Sequence, residues 1–172
     1  MTTIAHMEPW LIAVIVIASL VGAYLVFFIF RLIHVLHFRK SIYRRLGALT
    51  VIIEEEKDML TPIYVRLRKV GEINEEEPFF VELDQHSLIG SHNESRIKKM
   101  QEEGHLLASK LKKHATSDEN TVFYFLEDLE KNYQRIAAQY NRDLIGYEYW
   151  RKHPLYRFLF VFFGFRQRQR LI

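Results

Sequence analysis

The sequence predicts an all-α protein: a single N-terminal transmembrane helix followed by an antiparallel bundle of three to four helices. Three observations carry this expectation. Trp10 to Phe30, WLIAVIVIASLVGAYLVFFIF, is apolar and uncharged, the polar remainder repeats apolar residues at threes and fours, and no strand-like alternation interrupts that repeat.

The apolar stretch comes first. About 20 residues rising 1.5 Å each match a hydrocarbon core about 30 Å thick, and a helix satisfies its own backbone while crossing it. Glu8 precedes the stretch and a basic block comes after it, the reverse of a cleaved signal peptide, so the segment is expected to remain as an anchor. Residues 1–9 carry no Lys or Arg, whereas Arg31, Arg39, Lys40, Arg44 and Arg45 lie just beyond the stretch. The side rich in Lys and Arg stays in the cytoplasm, which predicts an outward N-terminus and a cytoplasmic C-terminal domain. The five basic residues form a juxtamembrane collar over residues 31–45 and are candidate contacts for anionic lipid. Ala18, Ser19, Gly22 and Ala23 place small residues four apart in the stretch, a spacing used for helix association, so self-association into a homo-oligomer is a partner arrangement to test.

The expected organisation is a short extracytoplasmic N-terminus over 1–9, a transmembrane helix over 10–30, the collar over 31–45, a helical bundle over 42–153 with an acidic loop at 71–94, and an aromatic and basic segment over 154–172. The chain beyond the apolar stretch is long enough for one domain with its own core. The chain has no cysteine, which excludes disulfides, thiol nucleophiles and Cys-ligated zinc. A net charge of +3, with the excess beside the apolar stretch and in the tail, argues against nucleic acid as a partner.

Within the bundle, Ile42, Leu46, Leu49, Ile53, Leu60, Ile63, Leu67 and Val70 form one seam and predict a long amphipathic helix, bent near Pro62 and closed by Gly71. Glu56 takes the seam position between Ile53 and Leu60 that should be apolar. A carboxyl there must be paired, hydrogen-bonded or protonated, and Arg135 or Tyr133 is the expected partner in a register-setting role. Residues 71–94 read as a long loop with one turn of helix. Phe79 and Phe80 within it are either tucked under the bundle or, as interaction candidates, part of a contact surface.

Ser95 is the expected N-cap of a second helix whose stripe is Ile97, Met100, Gly104, Leu107, Ala108 and Leu111. Thr116, Ser117 and Asp118 cap a third, which carries Val122, Leu126, Leu129, Tyr133, Ile136, Tyr140, Leu144 and Tyr147. If these three helices alternate in direction, Pro154 ends at the far end of the bundle from the membrane. The aromatic run Phe158 to Phe165 then packs within the domain, although a membrane-interface or protein-docking role for Phe160, Phe163 and Phe165 is an alternative.

The third helix and the segment after it, Leu126-Glu127, Glu130, Tyr140-Asn141, Tyr147, Pro154 and Phe163-Gly164-Phe165, resemble the C-terminal signature of the LemA family, L-E-x-x-E, Y-N, Y-N, F-P and F-G-F. Asp58 to Val65, DMLTPIYV, is similar to that family's D-L-I-P-N-L-V segment. The second Y-N reads Tyr147-Glu148 and F-P reads His153-Pro154, which marks a divergent member. The resemblance implies a membrane-anchored cytoplasmic helical bundle of the bacterial inner membrane with no established catalytic activity.

Other polar pairs fall short of a site. His34 and His37 lie on one helical face without a third ligand, and Glu102-x-x-His105 lacks the second copy that a di-iron bundle needs. No catalytic, metal or cofactor site is expected. The expected role is a non-enzymatic scaffold or assembly factor whose partners are the lipid bilayer and other envelope or membrane proteins. The alternative is an accessory or regulatory subunit of a larger membrane machine, such as a secretion system or a membrane protease.

Overall fold

The computed structural model describes residues 8–73, 76–153 and 167–171. These residues form four helices and no strand: α1 (Pro9–Lys69), α2 (Pro78–Gln85), α3 (Glu94–Lys112) and α4 (Asn120–Lys152). The chain divides into two compact units, Met1–His37 and Phe38–Ile172.

The first unit contains the N-terminal half of α1. Pro9 stands at the first position of the helix, where its missing N–H costs nothing, and Leu11 N donates to Glu8 O at 2.8 Å. Most of its apolar side chains are exposed, Trp10, Leu20 and Val26 among them, while Val35 near its end is buried. By length and composition this helix is able to cross a membrane.

The second unit is built on the C-terminal half of α1. Ile42, Leu46, Leu49, Ile53, Leu60, Ile63 and Leu67 are all buried, so the seam read from the sequence is the core face up to Leu67; Val70, its last expected member, lies beyond the end of α1 and is exposed. Helix α1 continues through Pro62 and ends in a full C-terminal motif. Gly71 takes φ +76°, its N–H donates to Arg68 O at 3.2 Å, and Glu72 N–H donates to Leu67 O at 3.1 Å. Only glycine adopts that left-handed conformation without a Cβ penalty.

The segment expected as a loop contains α2. Pro78 opens this helix, and Phe79, Phe80 and Leu83 are its buried residues. The Phe80 ring stacks on Tyr64 at 4.5 Å between centroids. Phe79 and Phe80, expected in part as contact-surface candidates, therefore belong to the core, because a two-turn helix lying along α1 has only one face to bury and these residues are on it. The cap of α3 is Asn93, whose side chain accepts from Arg96 N at 3.3 Å, and not Ser95, whose Oγ donates instead to Gln169 Oε1 at 2.7 Å. Helix α4 has no side-chain cap. The Glu119 carboxylate turns to Arg66, at 2.7 and 2.8 Å, and accepts from Thr116 N at 2.8 Å.

Side-chain pairs fix the direction of each helix. Between α1 and α2, Tyr64 meets Phe80 and Lys57 meets Asp84, an antiparallel order. Glu77 pairs with Lys110, and Glu82 with Arg96 and Lys99, so α2 and α3 are antiparallel as well. Gln101 meets Glu130 and Lys112 meets Glu127, which makes α3 and α4 antiparallel. Consecutive helices thus alternate, in an up-down-up-down order of four passes. This corrects the three-pass reading. Since α2 supplies a return pass, α4 runs back to the end at which α1 enters the unit, where the Phe38 ring lies 2.9 Å from the position of a Cβ on Gly146.

Candidate functional site

Two places in the second unit gather polar side chains around a cavity. The first is the end at which α1 enters. Arg45 Nε and Ser41 Oγ both donate to Asp143 Oδ2, at 2.6 and 2.7 Å, and Arg45 Nη1 donates to Gln139 Oε1 at 2.5 Å. Of the collar residues, Arg45 is thus held by α4, whereas Lys40 and Arg44 are exposed. Two guanidinium groups lie over the Tyr43 ring, Arg39 at 5.6 Å and Arg168 at 4.5 Å from its centroid. In the first unit, Arg31 lies over the Phe27 ring at 4.8 Å, and His34 meets the Phe30 ring edge-on at 4.8 Å.

The described part of the tail docks here. Arg168 Nη1 donates to Glu94 Oε1 at 2.6 Å, Tyr140 Oη donates to Gln169 O at 3.0 Å, and Leu171 N donates to Asn141 Oδ1 at 3.1 Å. Leu171 itself is buried. Burial, followed by the nearby Glu94 charge, raises the Tyr140 hydroxyl above the ordinary tyrosine range, so it stays protonated as a donor. Tyr140 and Asn141, singled out in sequence by their resemblance to a family signature, are where the chain's last residues are fastened. A cavity of about 730 Å³ opens beside them, lined in part by Arg39, Tyr43, His92, Glu94 and Arg168. Pro154, Phe160, Phe163, Gly164 and Phe165 lie outside the described residues.

The second place lies between α1, α3 and α4, a cavity of about 390 Å³ with Glu56, Gln101 and Glu130 among its walls. Glu56 is 7% exposed. Burial, and then the Glu130 charge, push its carboxyl up to about 8. Gln101 Nε2 donates to Glu130 Oε2 at 2.5 Å. Tyr133 stands in the same neighbourhood, its hydroxyl raised first by burial and then by Glu130, Glu102 and Glu56. Arg135 does not pair with Glu56. It lies two residues, about 200° of helix, beyond buried Tyr133 and donates to Asn132 Oδ1 at 2.9 Å on the surface.

Of the remaining signature positions, Glu127 pairs with Lys112 at 3.3 Å on the cavity's outer side, and Tyr147 is buried beside the tail's cavity. Glu102 and His105 are both exposed on α3, and among the described residues no group of three or more metal-ligating side chains converges. Sequence reasoning missed Gln101, Arg168 and Leu171. Gly104 was visible as the one glycine in the α3 stripe, and a glycine at a buried helical position signals close approach of a neighbour.

Fold and site together define a class only broadly: among the described residues, one helix able to cross a membrane and a unit of four helices that brings polar side chains together. No family model, curated protein or solved structure matches the chain.

Proposed function

We propose that this protein is a membrane-anchored, non-enzymatic helical scaffold or assembly factor of the cell envelope, of the kind the LemA resemblance implies. The observation that carries the reading is the exposure of the apolar half of α1. None of the side chains in its most apolar 18-residue window is buried, and covering them with lipid removes that surface from water. The same helix goes on to form the core seam of the second unit, so anchor and bundle are one element of secondary structure. The anchor points outward at its N-terminus and the bundle is cytoplasmic, since the basic residues come after the apolar stretch.

A scaffolding role suits the second unit. Two of its polar contacts, Arg45 with Asp143 and Arg66 with Glu119, tie α4 and its N-cap to α1, and the side chains that make them are thereby occupied in holding the fold. Exposed Lys40 and Arg44 are the collar residues free to meet anionic lipid.

Purification of the full chain in mild detergent, with identification of the proteins that co-purify, tests the role. Reproducible recovery of envelope proteins supports it, and a lone homo-oligomer counts against both the scaffold and the accessory-subunit readings. Labelling of Thr2→Cys from the cytoplasmic side alone would overturn the orientation.

A further inference from the structure

The cavity between α1, α3 and α4 is walled by the Gln101 amide and the Glu56 and Glu130 carboxyls, with Lys112 and Lys131 at its outer side. Gln101 is 8% exposed, and its Nε2 is committed to Glu130. Its Oε1 is buried and has no hydrogen-bond partner. Turning the amide over would set Oε1 against the Glu130 carboxylate, so the carboxylate dictates the orientation that leaves Oε1 unpaired. Glu56, on the opposite helix, receives no hydrogen bond or ion pair from the described residues. A buried acceptor left unpaired is destabilising, which is a standing preference for a donor.

The chain's own cations do not supply that donor. Lys112 is held by Glu127 at 3.3 Å and Lys131 by Asp128 at 2.9 Å, both towards solvent. The rest of the lining is largely apolar, with Ile52, Ala108, Phe123 and Leu126. Gln101 Oε1, the Glu56 carboxyl and the remaining lone pairs of Glu130, whose two oxygens already accept from Gln101 and Gln134, stand beside an apolar wall and match a group with three N–H donors, a positive charge and a methylene stem. A planar guanidinium carries five donors and would leave some unmatched. We propose that this cavity binds a small amphipathic primary amine, whose ammonium donates to Gln101 Oε1 and to the Glu56 and Glu130 carboxylates while its alkyl chain lies against Phe123 and Leu126.

Binding is coupled to a proton. The groups facing Glu56 are Phe79 from α2, Gln101 and His105 from α3, and Glu130 and Tyr133 from α4, with Lys112, Glu127 and Lys131 at the outer side. None of these brings a committed positive charge to Glu56, so without a ligand the carboxyl holds its proton up to about 8. An ammonium favours the carboxylate, and binding therefore releases the Glu56 proton and strengthens as pH rises, until the amine itself loses charge near its usual value of about 10. This inference does not rest on the scaffold reading.

The test is calorimetric titration of the full chain in non-ionic detergent with n-butylammonium chloride, at pH values on either side of 8. Saturable binding is expected, at least tenfold tighter on the alkaline side. Glu56→Gln and Gln101→Met should each weaken it tenfold or more, while Asp118→Asn, at an exposed position outside the cavity, should not change it. Using two cavity variants keeps the outcome readable if one of them fails to fold. Butanol, which has the stem without the charge, and tetramethylammonium, which has the charge without donors, should bind at least tenfold more weakly. Equal binding of either control, undiminished affinity in both variants, or no saturable binding at either pH would overturn the assignment.

Discussion

Gly104 and Glu56 occupy adjoining space in the core: a Cβ on Gly104 would stand 2.9 Å from Glu56 Oε1, and equally 2.9 Å from Cε2 of Phe79. The glycine in the α3 stripe is therefore there for its lack of a side chain. It admits a carboxyl from α1 and a ring from α2 to the same point on α3.

Two effects compete when that glycine is replaced. Alanine is favoured over glycine in a helix by about 1 kcal/mol. Overpacking a core costs about 1–3 kcal/mol. The Glu56 carboxyl is the end of a flexible chain and can move, but Phe79 is 1% exposed and has nowhere to go. Gly104→Ala should thus destabilise the second unit by about 1–2 kcal/mol, measured by denaturant unfolding in detergent. Combining it with Phe79→Leu should recover part of that loss, and an additive double mutant would refute the shared-space explanation.

Glu56 sets a pH dependence whose sign is opposite to that of a paired carboxylate. Its folded pKa of about 8 lies above the ordinary carboxyl value of 4.5. Between those values the folded state holds a proton that the unfolded state has lost, so raising the pH through this window costs stability, at about 1.4 kcal/mol per unit of difference. Below 4.5 the group contributes no difference, and above 8 its full cost is present. Wild type should lose stability from about pH 5 to pH 9 relative to Glu56→Gln. Unfolding curves that stay parallel for the two proteins across that range would contradict it.

Arg45 and Asp143 should matter more than their surface counterparts. Their side chains are 24% and 17% exposed, and Ser41 shares the carboxylate. Removing the carboxylate strands two donors, so Asp143→Ala is expected to cost about 1–3 kcal/mol. The Lys131–Asp128 pair is 74% exposed on both sides, and Lys131→Ala should change stability by under about 0.5 kcal/mol. Thermal melts of the two variants side by side check the contrast.

The tail is a structural strap. Leu171 is 4% exposed beside the backbone hydrogen bond to Asn141, so Leu171→Ala should destabilise by about 2 kcal/mol or more. The same change at exposed Leu106 should cost far less, since 67% of that residue already faces solvent. Limited proteolysis should cut the Leu171→Ala tail faster than the wild-type tail.

Several of these features were legible in the sequence because they depend on local periodicity. The seam from Leu46 to Leu67 repeats at threes and fours, and a 3.6-residue turn puts such positions on one face wherever the helix later packs. Glu56 stood out for the same reason, as a charge at a seam position. The Asn93 cap was missed because Asn93 and Ser95, both good capping residues, lie two positions apart, and only the observed φ/ψ separates them.

By itself, then, the sequence determined the helical class, the apolar stretch able to cross a membrane and the faces that become core, all of which depend only on the order of residues along one helix. Tertiary structure decided the rest. The eight-residue α2 forms only because Phe79, Phe80 and Leu83 find α1 and α3 to pack against, since a helix that short does not hold itself together in water, and the non-helical stretch after it, with Leu88 N on Glu54 and His92 on Tyr43, completes the return pass. That one pass reverses the direction of everything after it. It brings α4 back beside Phe38 and Arg45, faces Glu56 with Gln101 and Glu130, and lets Leu171 reach Asn141, because contacts between residues far apart in the chain depend on direction and register, which no local pattern records.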